Sequence, residues 1–290
     1  MIDMSMIKTS TEPQWGGFLT SFIKKDKTSA ATAPVLGLAK RFAHGSFQFQ
    51  VRLTRGAAYT IEASSNLLHW TSLDSGTAPG STVDYMDSAA AKFDYRFYRA
   101  TCGELASQKW IGFASVNLPP GFSMIANPFH APSNYVPALF PDMPEGTTLC
   151  KFDTTLFRLT NNSVKKGEWT NASEKLVPGE GAIFFNPTTN IITLNFVGEV
   201  IGGHLLNPIP TGLSIRSSLV PQPGRLNSDL GFPVAEGDVV HIFDRAQQKY
   251  TLYPYSAKGW ERNPPVVGVG ESFWIARTQP GEWVRDLAVA

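Results

Sequence analysis

The sequence predicts an all-β chain: a small antiparallel sandwich followed by two pseudo-repeated β-sandwich or barrel lobes, with an N-terminal arm in front. Three observations predict it. Charged residues make only 17% of the 290, while 25 glycines, 21 prolines, 19 phenylalanines and 7 tryptophans supply turn formers and large apolar side chains. An average protein carries about 25% charged residues, and a helical one would be richer in Glu, Lys and Ala. From Ser46 onward the apolar residues recur with period two. From about residue 110 the chain is written twice, 91 residues apart, as from Gly121 to Gly212.

Residues 1–45 read as an arm and linker. Trp15, Phe18, Leu19, Phe22 and Ile23 fall at helical spacing and end in Lys24-Lys25, an apolar stripe. The stripe suits either packing on its own domain or docking on a neighbouring subunit. Thr28 to Pro34, small and polar, reads as a flexible connection.

Residues 46–104 read as a sandwich. Phe47, Phe49, Val51 and Leu53 alternate with Gln48, Gln50, Arg52 and Thr54, the signature of a half-buried strand. Arg55-Gly56 is a turn and Ala58–Ala63 the next strand. Thr71–Leu73 is a short strand closed by a turn at Asp74-Ser75-Gly76. Val83–Asp87 and the aromatic run Tyr95–Ala100 complete the set.

Residues 105–200 and 201–290 read as the two copies. Pro120-Gly121-Phe122-Ser123-Met124-Ile125 returns as Thr211-Gly212-Leu213-Ser214-Ile215-Arg216. Phe140-Pro141 returns as Phe232-Pro233, Glu145-Gly146 as Glu236-Gly237, and Phe152-Asp153 as Phe243-Asp244. Trp169 returns as Trp260, and Pro178-Gly179-Glu180 as Val269-Gly270-Glu271. The repeated positions are turn formers and large apolar residues, the parts of a scaffold. No nucleophile, metal cluster or phosphate loop repeats with them.

The runs Tyr59-Thr-Ile-Glu-Ala-Ser-Ser-Asn66, Trp70-Thr-Ser-Leu73 and Arg96-Phe-Tyr-Arg-Ala100 resemble a fibronectin-III-like β-sandwich module. The segments Pro120-Gly-Phe-Ser-Met-Ile-Ala-Asn-Pro128 and Gly179-Glu-Gly181 are similar to β-rich repeats that follow such modules in secreted and surface proteins of environmental bacteria. The resemblance implies a surface or extracellular setting and carries over no catalytic residue.

Charge narrows the partners. A net charge of +1 creates no field for nucleic acid or an acidic membrane. No run approaches the roughly 18 apolar residues of a membrane span. Met1–Lys25 contains Asp3, Lys8, Glu12 and Pro13 and lacks the apolar core of a standard export signal, which leaves assembly inside the cell open beside export.

Chemistry-bearing residues are sparse. Glu180 and Glu271, equivalent in the two copies, could flank a glycosidic bond, or could simply hold turns. Asp153 and Asp244 each follow a strand-ending Phe, where Asp bonds turn backbone; Asp84 and Asp87 lack calcium-loop spacing. His44, His69, His130, His204 and His241 are scattered, and Cys102 and Cys150 lack zinc spacing. No metal or cofactor is expected. Trp169, Trp260, Tyr253 and Tyr255 are the candidate glycan or partner contacts, because flat aromatic faces pack on sugar rings. The competing reading is that each Trp plugs its own lobe.

The expectation is therefore a non-catalytic structural protein, self-associating through sandwich packing and its arm into a filament, layer or phage-like particle. A carbohydrate-binding or adhesion module is the alternative.

Overall fold

The alternation seen in the sequence places Phe47, Phe49 and Val51 fully inside the first sandwich. The computed structural model describes residues 32–289; the arm residues Trp15, Phe18, Leu19, Phe22 and Ile23 lie outside them. The first part comprises β1 (Val35–Arg41), β2 (Phe47–Arg52), β3 (Ala58–Ser64), β4 (Thr71–Thr77), β5 (Thr82–Asp87), β6 (Tyr95–Cys102) and β7 (Leu105–Ala106). The first copy follows: β8 (Trp110–Leu118), β9 (Gly121–Ile125), α1 (Val136–Leu139), β10 (Thr148–Asp153), β11 (Arg158–Lys165), β12 (Glu168–Trp169), β13 (Ala182–Asn186) and β14 (Ile192–Val200). The second copy holds β15 (Gly203–Ile209), β16 (Gly212–Arg216), β17 (Gly224–Arg225), β18 (Val239–Asp244), β19 (Lys249–Ser256), β20 (Gly259–Trp260), β21 (Val266–Val267), β22 (Phe273–Arg277) and β23 (Gly281–Leu287).

The chain is all-β and antiparallel, and its sheets stay open, so the sandwich alternative holds over the barrel. Sheet β1-β2-β5 faces sheet β4-β3-β6 across a core of Phe47, Phe49, Ile61, Tyr98 and Phe113. Asp87 is buried in that core, accepting from Arg96 at 2.7 Å and from the Tyr98 hydroxyl at 2.8 Å. Two local expectations change. Val35–Arg41, read with the arm, is β1; a register shift between Gly37 and Lys40 and a left-handed, exposed Leu38 break the alternation that marks a strand. Asp74-Ser75-Gly76, read as a turn, continues β4. This is an edge strand, where polar residues are tolerated, and the Tyr59 hydroxyl donates to Asp74 at 3.3 Å.

The sandwich does not end where the first copy begins. β8 pairs with β6 on one side and with all of β14 on the other, so one sheet, β14-β8-β6-β3-β4, crosses residues 104 and 105. Along β8, Ile111 and Phe113 enter the sandwich core while Trp110, Ala114, Val116 and Leu118 enter the core of the first lobe. Gly112 and Gly198 are direct partners in the β8–β14 ladder, and Phe129 lies against them. A Cβ on Gly112 would stand 2.8 Å from Phe97 and 3.1 Å from Phe129; one on Gly198 would stand 2.6 Å from the His130 carbonyl. Glycine in a strand interior marks such close approach.

The two copies are built alike. The first lobe's sheet runs β12-β11-β10-β13-β9 and the second's β20-β19-β18-β22-β16. Registers coincide under a 91-residue shift: Leu149 pairs with Phe184 and Val240 with Ile275, Val164 with Trp169 and Tyr255 with Trp260. The remaining pair β8–β14 has its counterpart in β15–β23.

Contacts between the copies are reciprocal. Ser217 N–H donates to the Gly179 carbonyl at 3.1 Å, and Ala126 N–H, its equivalent, donates to the Gly270 carbonyl at 2.9 Å. Met124, Ile183 and Phe152 of the first copy share one apolar cluster with their equivalents Ile215, Trp274 and Phe243. Contact of i with j′ and of i′ with j is the mark of a two-fold relation. The lobes are thus related by a pseudo-two-fold axis through this cluster.

Candidate functional site

The acids that recur in the two copies hold turns. Glu180 Oε2 accepts from Val177 N–H at 3.1 Å, and Glu271 Oε2 accepts from Gly268 N–H at 2.9 Å, each bridging three residues back. Lys151 pairs with Glu180 at 2.9 Å, and Arg245 pairs with Glu271. Asp153 accepts from Thr155 and Leu156 N–H, Asp244 from Ala246 and Gln247 N–H, all at 2.8–2.9 Å. Those two backbone donors hold the Asp153 carboxyl below its ordinary range. Asp84 accepts from Gln50 at 3.1 Å. Among the described residues no group of three or more His, Cys, Asp or Glu is arranged to hold a metal.

Each repeated tryptophan packs on its own lobe. Trp169 is half-buried against the first core and donates from Nε1 to the Phe140 carbonyl at 3.0 Å. Trp260 packs on the second core with Tyr255 edge-on at 5.1 Å. Tyr253 also borders that core, under the Arg262 guanidinium at 5.5 Å. Cys102 and Cys150 are both free thiols. The first lies in the sandwich core, and burial raises the pKa of the second.

A polar concavity lies where the sandwich and both lobes meet. Its centre is the Arg245–Glu271 ion pair. The turn clamp described above fixes Glu271. Arg245 leaves the end of β18 and donates from Nη1 to the Asn117 carbonyl on β8 at 3.0 Å. One depression, of about 280 Å³, is lined by Asp94, Tyr95, Ser115, Asn117 and the ion pair. The other, of about 350 Å³, is lined by Asp244, Thr251, Tyr253 and the same ion pair. Beside the first depression the outer faces of β8 and β14 carry two cross-strand polar pairs, Ser115–Asn195 and Asn117–Thr193, each at 2.7 Å. Burial, with Asp94 beside it, raises the pKa of Tyr95, so its phenol stays a neutral donor.

Of the residues singled out from sequence, Glu271, Asp244 and Tyr253 line this groove. Tyr95, Ser115, Asn117 and Arg245 were not singled out, because no local pattern joins positions that meet only through the fold. Their one sequence signal is the polar residue at every second place of β8, at Ser115 and Asn117. No protein-family model matches the chain, and no curated protein is significantly similar to it.

Proposed function

We propose that this protein is a non-catalytic structural subunit that self-associates through its β-sandwich surfaces and N-terminal arm. A bacterial surface or extracellular filament or layer, or a phage-like particle, is the assembly it would serve. The observation that carries the reading is the use made of the repeated polar groups: Glu180, Glu271, Asp153 and Asp244 each close a turn. Duplicated chemistry thus supports shape.

The shared strand β8 supports the same reading, since it ties the sandwich to the first lobe in one sheet and suits a rigid building block. A fibronectin-III-like identity for the sandwich is consistent with its three-strand sheet β1-β2-β5 opposing β4-β3-β6-β8. The β10–β11 hairpin offers a contact surface: Leu156, Phe157 and Leu159 are exposed by 58%, 65% and 46%, a cluster that favours association.

Light scattering after size exclusion tests the proposal on the full chain and on a chain lacking residues 1–30. Regular high-mass particles from the first, and folded monomers from the second, are expected. A full-length monomer near 31.7 kDa would overturn the assembly.

A further inference from the structure

We infer that the groove around Arg245 and Glu271 binds a neutral, hydroxyl-rich ligand, an oligosaccharide, independently of any assembly. The lining supplies the two things a sugar requires. The first is a dense mixture of strong donors and acceptors. Glu271 and Asp94 accept, Arg245 donates, and Asn117 and Ser115 do both. A sugar hydroxyl also does both, so neighbouring hydroxyls match such a set, and the charged partners make the shorter, stronger bonds.

The second requirement is an aromatic face at the polar rim. Tyr95 provides it in the first depression, where the C–H face of a sugar ring can pack, while Tyr253 borders the second beneath Arg262. The depressions share the Arg245–Glu271 pair as their common wall, so two or more sugar units could lie across it.

Charge decides against the other ligand classes. Arg245 is neutralised by Glu271, and Asp94 adds a further carboxylate, so an anionic ligand meets a net negative lining. The Glu271 oxygens are partnered with Arg245 and with Gly268 N–H, and among the described residues no three acids, histidines or cysteines gather to hold a metal ion. Arg245 spends two of its five N–H groups on Glu271 and the Asn117 carbonyl, which leaves donors for a ligand. The paired arrangement also keeps the groove's polar side chains in place before a ligand arrives, which reduces the ordering cost of binding.

Calorimetric titration of the full chain with cellopentaose, maltopentaose, chitopentaose and mannopentaose, with polygalacturonate as the anionic comparison, tests this. At least one neutral pentasaccharide is expected to bind, with Kd below about 1 mM. Tyr95→Ala, on the groove wall, should weaken that binding about tenfold or more. Asn117→Ala should also weaken it, and Trp169→Phe, outside the groove, should leave it unchanged. Near-ultraviolet circular dichroism of each variant separates a lost site from a lost fold. The inference is overturned if no neutral pentasaccharide binds at 10 mM (about tenfold above that limit), if polygalacturonate alone binds, or if folded Tyr95→Ala and Asn117→Ala bind as the parent does.

Discussion

Gly181 and Ser272 hold the same place in the two copies, and they touch. A Cβ built on Gly181 would overlap the Cβ of Ser272 and the Cγ2 of Ile215. Equivalent positions can meet only on the axis that relates their copies, so this contact locates the pseudo-two-fold. Around it lie three equivalent pairs, Met124 with Ile215, Ile183 with Trp274, and Phe152 with Phe243. Phe152 meets Trp274 edge-on at 5.0 Å. A patch of this kind is what a self-complementary dimer buries; here the covalent connection keeps both halves present at every concentration.

Gly181→Ala should therefore lower stability by about 1–3 kcal/mol through overpacking, measured by urea unfolding. Ser272→Gly, just ahead of β22, should cost less than about 1 kcal/mol, the entropic cost of an added glycine. In the double variant the overlap with residue 272 is relieved, so the two effects should not add. Strict additivity would mean that the two positions do not meet.

Gly112 and Gly198 lead to a second steric prediction. Both lie under the 129–130 segment, and neither has a left-handed φ, so space alone excludes a side chain. Gly112→Ala and Gly198→Ala should each cost about 1–3 kcal/mol. The Phe129 ring lies 3.1 Å from a methyl added at 112, whereas residue 198 faces only the Phe129 Cβ and the His130 carbonyl. Phe129→Ala, destabilising by itself, should therefore relieve part of the Gly112→Ala penalty and none of the Gly198→Ala penalty. An unchanged Gly112→Ala penalty without the ring would assign that strain to the Arg96 carbonyl and the Phe97 ring.

The period-two pattern made β2, β3 and β5 legible, because each has one wetter and one drier face, while β6 was legible from its aromatic run although Phe97 and Tyr98 enter different cores. It could not reveal that β8 serves two cores, since a strand buried on both sides loses its alternation. The repeat was readable as sequence, and the turn-closing roles of Glu180 and Asp153 followed from their places beside glycine and at a strand end. The place of the axis was not readable: Ser217 opposite Gly179 and Ala126 opposite Gly270 share no motif, only a fold. The groove fared the same way. Tyr95, Asn117 and Arg245 come from three separated segments, and nothing in any of them anticipates the other two.

Trp169 and Trp260 yield a prediction on stability. Each packs its indole on its own lobe, so Trp169→Ala and Trp260→Ala should each lower stability by about 2–3 kcal/mol, less than for a fully buried ring. Trp169 also loses its bond to the Phe140 carbonyl, while the Trp260 Nε1 is buried without a partner. Trp260→Phe should thus be milder than Trp169→Phe. Urea midpoints rank the four variants; a neutral Trp169→Ala would mean that its ring does not support the lobe.

The Tyr98–Asp87–Arg96 group makes stability depend on pH at the alkaline end. Burial, then the neighbouring Asp87 charge and its hydrogen bond, push the Tyr98 pKa far above the ordinary value near 10. Below pH about 10 the phenol is protonated in both the folded and the unfolded chain, and its contribution is fully present. Above that pH the unfolded chain releases the proton while the folded chain keeps it. The folded state then binds more protons, and stability falls by about 1.4 kcal/mol per pH unit for this one group. Tyr59, Tyr85, Tyr95 and Tyr250 are shifted the same way and steepen the fall in any variant that keeps them. The difference between parent and Tyr98→Phe isolates Tyr98. Urea unfolding at pH about 10 and 11 should show the parent losing about 1 kcal/mol more than the variant. At neutral pH Tyr98→Phe should cost about 1–3 kcal/mol, because Asp87 stays buried with one acceptor bond fewer. Equal alkaline slopes would require Tyr98 to ionise within the fold, which the buried Asp87 carboxylate beside it opposes.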